Sequence, residues 1–204
     1  MKRSIPSIVS VLLVAAAAFM QQSGSASAKD GMEILGPTSP PVGYVNFCQD
    51  NPGECGRFDR ANLVVKLTHR TMATLVSVNT QVNIEVAPAT DMEVFGVVER
   101  WSFPNGRGDC EDYVLLKRKR LMAAGWPESS LLITVVRDEV GDGHAVLTVR
   151  TDRGDLILDN KTDDIHPWSE TDYHYVKRQS TAQATAWDMI SDNRSLAVGS
   201  INQR

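Results

Sequence analysis

Past residue 68 the apolar pattern passes from a helical period to a strand period, and that change restricts the fold more than any other feature. From Thr68, apolar residues fall at Met72, Leu75, Val76, Val82 and Val86, with Asn79 and Asn83 one turn apart on the same face. The spacing predicts an amphipathic helix capped by Thr68 and ending before Pro88. Its paired asparagines are expected to satisfy buried backbone groups. A second helix is expected to begin near Asp109 and run to about Ala124, with Gly125 as its stop and Pro127 beyond. The period then falls to two. Leu131 to Arg137 is rich in Ile and Val, Gly141-Asp142-Gly143 makes a turn, and His144–Arg150 and Asp155–Asn160 alternate around a short Asp-Arg-Gly loop, as in a β-hairpin. Asn62 to Leu67 reads as a short strand, while Tyr173 to Val176 and a segment around Trp187 add edge strands. Helices followed by an antiparallel sheet define an α+β fold.

The run Lys117-Arg118-Lys119-Arg120 covers every face of one helical turn. Four basic residues make a weak nucleic-acid or membrane patch in an acidic chain. They are better read as side chains of which some lay their stems over apolar neighbours near the negative end of the helix dipole.

The N-terminus reads as an export signal. Lys2 and Arg3 precede an apolar run from Ile8 to Met20, and Ala26-Ser27-Ala28 offers a small-x-small cleavage site. The competing reading, a retained anchor, is disfavoured because the run is short for a membrane span. Cleavage after Ala28 would leave 204 − 28 = 176 residues, enough for one domain with a real core. A Pro- and Gly-rich lead-in, residues 29–45, is expected to be extended or poorly ordered, with the domain proper over 46–204. Losing Lys2 and Arg3 takes the net charge from −4 to −6. An acidic exported domain, periplasmic or secreted, is a poor nucleic-acid binder, and no later segment could span a bilayer.

The cysteines agree with export. Cys48 and Cys55 bracket a polar segment with a Pro-Gly turn and are natural partners in an oxidising compartment, where so small a loop is worth ~2–3 kcal/mol. Cys110 is left over, which suggests a reactive group or an intermolecular bridge, and it is read as the reactive thiol. It lies in Arg107-Gly108-Asp109-Cys110-Glu111-Asp112-Tyr113, at the expected start of the second helix. The helix terminus favours a thiolate, whereas the three flanking acids oppose a further negative charge. The thiol is therefore either inert or balanced by a cation.

A base and its orienting acid are to be found in the hairpin. A two-residue loop, Asp152-Arg153, would set His144 opposite Lys161, with Asp159 one diagonal step away on the same face, ~7–8 Å at the backbone. A three-residue loop would separate them, and periodicity does not choose between the two. In the favourable register Cys110, His144 and Asp159 supply nucleophile, base and orienting acid in that order. His69, His166 and His174 are the other candidate bases. The Cys110 backbone N–H is one natural oxyanion donor, with a second sought around Trp101 to Asn105.

The motifs Arg-Gly-Asp-Cys-Glu-Asp-Tyr, Leu-x-x-x-Gly-x-Pro, Gly-His-Ala-Val-Leu and Leu-Asp-Asn, spread between Cys48 and Trp187, resemble the bacterial transglutaminase-like cysteine peptidases, including the LapG-like periplasmic proteases. The resemblance implies a papain- or transglutaminase-like fold in which a cysteine at a helix start packs on an antiparallel sheet carrying His and Asp. It makes Cys110, His144 and Asp159 the triad, and the Cys48–Cys55 pair resembles a feature of exported members. It also implies calcium at Asp109 and Glu111, an answer to the crowded acids that competes with simple helix capping. Asp112 is expected to be solvated or to sit behind the ligands. The implied partners are a protein substrate such as a surface adhesin and an inner-membrane receptor that restrains the enzyme. Two other functions share these residues: acyl transfer to amines, as in transglutaminases, and a non-catalytic binding module.

Overall fold

Thr68 does what its position predicts, and the rest of the architecture follows from a few such local decisions. The computed structural model describes Met1 and residues 31–194, so the expected export signal lies outside the described residues. In chain order come β1 (Ile34–Thr38), α1 (Val42–Asp50), α2 (His69–Glu85), β2 (Ala87–Pro88), α3 (Asp91–Phe95), β3 (Arg107–Gly108) and α4 (Cys110–Ala123). Then follow β4 (Leu131–Arg137), β5 (Gly143–Thr151), β6 (Gly154–Leu158), β7 (His166–Pro167), β8 (His174–Gln179) and β9 (Trp187–Ile190).

The Thr68 and Thr71 side chains cap one another's backbone N–H groups at the start of α2. α4 closes where Gly125 adopts φ 87°. Gly125 N–H reaches Met122 O and Trp126 N–H reaches Leu121 O, a Schellman ending with Trp126 and Leu121 both in the core.

Seven strands form one antiparallel sheet in the order β1-β9-β8-β4-β5-β6-β7. α4 packs on β5, and α2 packs on α4. Ala145, Leu147 and Val149 join Leu75, Val82, Val114 and Leu121 in the core under the helices. Val146, one residue out of phase, joins Val136, Ile157, Tyr173 and Tyr175 in a second cluster. The period of two read from the sequence thus divides β5 between two cores. Thr151 pairs with Gly154, so the β5–β6 loop is the two-residue one on which the His144–Asp159 argument depends.

Four expectations need correction. Residues 62–67 make no strand, because Asn62 takes φ 57° and only Val65 bridges to Thr151. The lead-in is part of the domain, with β1 pairing β9 and α1 beginning at Val42. β8 is interior, between β4 and β9, and the edges are β1 and β7. Finally, Lys117 and Arg118 are buried instead of lying along the surface. Arg118 Nε donates to Leu131 O at 3.2 Å. The Lys117 ammonium is pushed down to about 7 by burial, against the charges of Asp159 and Asp163.

Candidate active site

Cys110 is the first residue of α4, with Asp109 extended before it as the N-cap residue. The Asp109 side chain makes no capping bond, and its Oδ1 is buried without a hydrogen-bond partner. Helix capping therefore does not account for this acid. Glu111 is buried, and Glu111 Oε2 accepts the Cys110 thiol at 2.9 Å. Burial first, and then the Glu111 charge, push the thiol far up, with the Ala145 N–H working the other way. Burial and the charge of Glu111 likewise raise Asp109, and burial raises Glu111.

A third carboxylate completes this group. Asp91, buried at the start of α3, brings an oxygen so close that oxygens of Asp91, Asp109 and Glu111 all lie within 4.8 Å of one another. Sequence reasoning missed Asp91. Its only signal was the Thr90–Glu93 capping box, which starts a helix too short to show a period. Three crowded carboxylates, one with an orphaned buried oxygen, suit a hard cation such as calcium, which takes six to eight oxygens.

Asp112 is buried rather than solvated. Its Oδ1 accepts the Ser102 N–H at 2.8 Å, tying the Trp101 loop to the helix start. Burial raises Asp112 to about 7, against the Ser102 N–H. Gly108 must be glycine for this arrangement, since a Cβ there would stand 2.8 Å from the Asp112 Cβ. Trp101 lines the cleft beside Cys110, but its indole N–H is engaged by Glu99 Oε1 at 2.7 Å.

β5 and the residue following β6 carry the other half of the site. His144 Nε2 lies 2.9 Å from Asp159 Oδ1, and both side chains are buried. Lys161 N–H also donates to Oδ1, at 3.1 Å, while the Tyr173 hydroxyl donates to Oδ2. Burial works to raise the Asp159 carboxyl, but the bonds and charge of His144, with Tyr173 and Lys161, outweigh it and hold the carboxyl low. Asn83 Nδ2, from α2, anchors the Asp159 carbonyl at 3.0 Å, and Asn79 Nδ2 holds the Thr162 and Asp163 carbonyls. The asparagine pair thus serves the backbone, as expected.

Cys110 and His144 line two cavities in common. One, of about 350 Å³, also includes Trp101, Ala145 and Lys177. The other, of about 340 Å³, includes Thr90, Asn160 and Lys161. The remaining histidines are elsewhere: His69 and His166 are exposed, and His174, also exposed, has Nδ1 3.8 Å from Asp192. The Cys48–Cys55 disulfide is present, with Cα atoms 5.6 Å apart.

A helix-borne thiol and a strand-borne imidazole share one cleft, with a buried carboxylate bonded to the imidazole, on helices packed against an antiparallel sheet. That combination defines the transglutaminase-like class of cysteine peptidases. The chain belongs to the family described as bacterial transglutaminase-like cysteine proteinases, whose profile matches residues 34–195, and it is a cysteine peptidase. It is similar to calcium-bound LapG of Legionella pneumophila at 25% identity, covering 63% of this chain and 74% of that one, with a TM-score of 0.51. EGTA-treated LapG of the same organism matches at 27% identity over 62% and 70%, with a TM-score of 0.49. No curated protein matches the chain. Among the described residues, no helix is long and apolar enough to cross a membrane.

Proposed function

We propose that this protein is an exported endopeptidase acting through Cys110, His144 and Asp159, assisted by calcium and processing cell-surface or secreted proteins. The observation that carries the reading is the 2.9 Å contact between His144 Nε2 and Asp159 Oδ1. It commits that nitrogen and leaves Nδ1 for the thiol. The Cys110 thiolate adds to the scissile carbonyl, and the Cys110 N–H, which has no partner within the helix, donates to the oxyanion. His144, having taken the thiol proton, returns it to the leaving amine, and a thioester remains. His144 then takes a proton from water as the water attacks, the carbon–sulfur bond breaks, and acid and thiol are released.

Asp91, Asp109 and Glu111 would hold the cation, whose charge would neutralise the crowded carboxylates beside the thiol. Calcium-bound LapG supports this choice of metal. A surface adhesin as substrate and a restraining inner-membrane receptor accord with the family resemblance, and periplasmic export accords with the signal read at residues 1–28.

The test compares new protein N-termini in the exported fraction of cells carrying the wild type or Cys110→Ala. Termini that vanish with the thiol support the reading; equal termini in both strains overturn it. Incorporation of a primary amine into glutamine side chains, without new termini, would instead identify an acyl transferase. A thiol as slow to alkylate as free cysteine, with calcium present, would point to a binding module.

A further inference from the structure

Asp159 has a partner that neither half of the proposed triad requires. Tyr173 directly precedes β8 and is 8 % exposed. Its hydroxyl donates to Asp159 Oδ2, the oxygen that His144 does not use. Its ring also meets the His144 imidazole edge to face, with centroids 5.5 Å apart at 67°. On its other side, Tyr173 lines a cavity of about 360 Å³ together with Asp159, Lys161 and the acids Glu139, Asp164 and Asp172. The phenol and the Asp159 carboxylate thus both border this acidic space.

We propose that Tyr173 is a positioning residue, which sets the Asp159 carboxylate and the His144 ring in their working orientation. This inference rests on the triad reading above. A carboxylate rotates readily about its last torsion. Here the two oxygens are differentiated by their donors: Oδ1 accepts His144 and the Lys161 N–H, and Oδ2 accepts the phenol. With both ends held, Oδ1 stays aimed at Nε2, which fixes the tautomer that leaves Nδ1 available to a thiol lining the same cavity. Burial and the bond to Asp159 both raise the phenol, so it remains a donor throughout the physiological range. The ring edge supplies a second restraint by limiting rotation of the imidazole. Without the hydroxyl, Oδ2 would face the acidic cavity and its water, and the carboxylate could turn away from His144.

The test uses the full exported chain with calcium present and 4-nitrophenyl acetate as an acyl donor that needs no side-chain recognition. Tyr173→Phe keeps the ring and its packing but removes the bond. The expected result is a kcat lower on the order of tenfold, the factor that loss of one charge-assisted hydrogen bond gives, with KM unchanged. A second readout is the proton NMR signal of the His144 Nε2–H, assigned by its loss in His144→Asn. That signal should move upfield and exchange faster with water in Tyr173→Phe. A packing role alone would lower the melting temperature and leave both readouts in place. Unchanged kcat and an unmoved signal in Tyr173→Phe, with Cys110→Ala inactive, would overturn the positioning role and spare the triad. Full activity in Cys110→Ala would overturn the triad reading itself.

Discussion

At Asp159 the balance between burial and bonding sets how the protein responds to acid. Burial alone would favour the neutral carboxyl, yet the donors from His144, Tyr173 and Lys161 hold it below the ordinary carboxylate range. A carboxyl with a lowered folded-state pKa contributes stability that is present above its unfolded value, ~3.9. That contribution is lost as the pH falls through the folded value. Asp159→Asn removes the titration while keeping the shape. Urea midpoints measured from pH ~7 to ~2 should therefore fall more steeply below pH ~4 in the wild type than in the variant. Above that pH the variant should be less stable by a constant margin. Parallel profiles would mean that the carboxylate gains nothing from its partners.

Helix α1 shows how an element remote from the chemistry supports it. It buries Tyr44 and Phe47. Tyr44 meets the rings of Trp101 and Trp187 edge-on, each with centroids 5.4 Å apart, so α1 backs the wall of the cleft. Gly43 allows the approach, since a Cβ there would stand 2.7 Å from Trp101 Nε1 and from Glu99 Oε1. The disulfide from Cys48, in the last turn of α1, to Cys55 fixes how the chain leaves this helix. Replacing both cysteines by serine should cost ~2–3 kcal/mol on the chain-entropy account, or ~4–12 °C in Tm for a domain of this size. Differential scanning calorimetry checks this, and an unchanged Tm would show that the helix holds its place without the bridge. The elements that were legible in the sequence are those with strong local instructions: α2 through Thr68, α4 through Gly125, β4 through its Ile and Val content, and β5 and β6 through alternation. α3 and β1 were not legible, because a five-residue helix and a strand containing Gly36 and Pro37 have no readable period. β8 was recognisable as a strand, but its interior place depends on pairing with β4 and β9, which no local pattern records. The same limit applies to the site. Cys110, His144 and Asp159 come from motifs and a hairpin register, whereas Asp91 and Tyr173 join them only through the tertiary fold. The burial of Lys117 likewise follows from helix packing and not from its neighbours in the chain.

On the scale of the whole molecule, the carboxylate group links parts of the chain that the core leaves separate. Asp91 belongs to α3, while Asp109 and Glu111 flank Cys110, and the intervening loop carries Glu99 and Trp101 into the cleft. Without a cation, three buried or half-buried carboxylates crowd within 4.8 Å, so the folded state bears a repulsion that the unfolded chain relieves. A divalent ion binding only the assembled site would turn this repulsion into a tie between α3 and α4. By mass action, calcium at a hundred times its dissociation constant should stabilise the fold by ~2.7 kcal/mol, raising Tm by ~5–11 °C. Scanning fluorimetry in calcium and in EGTA measures this directly. Asp91→Asn removes one ligand charge while leaving Cys110, His144 and Asp159 untouched, so it should abolish most of the calcium shift. It should also raise Tm in EGTA, because one source of repulsion is gone. A calcium shift that survives in Asp91→Asn would place the ion elsewhere. A wild type indifferent to calcium would mean that protons, not a metal, neutralise these acids.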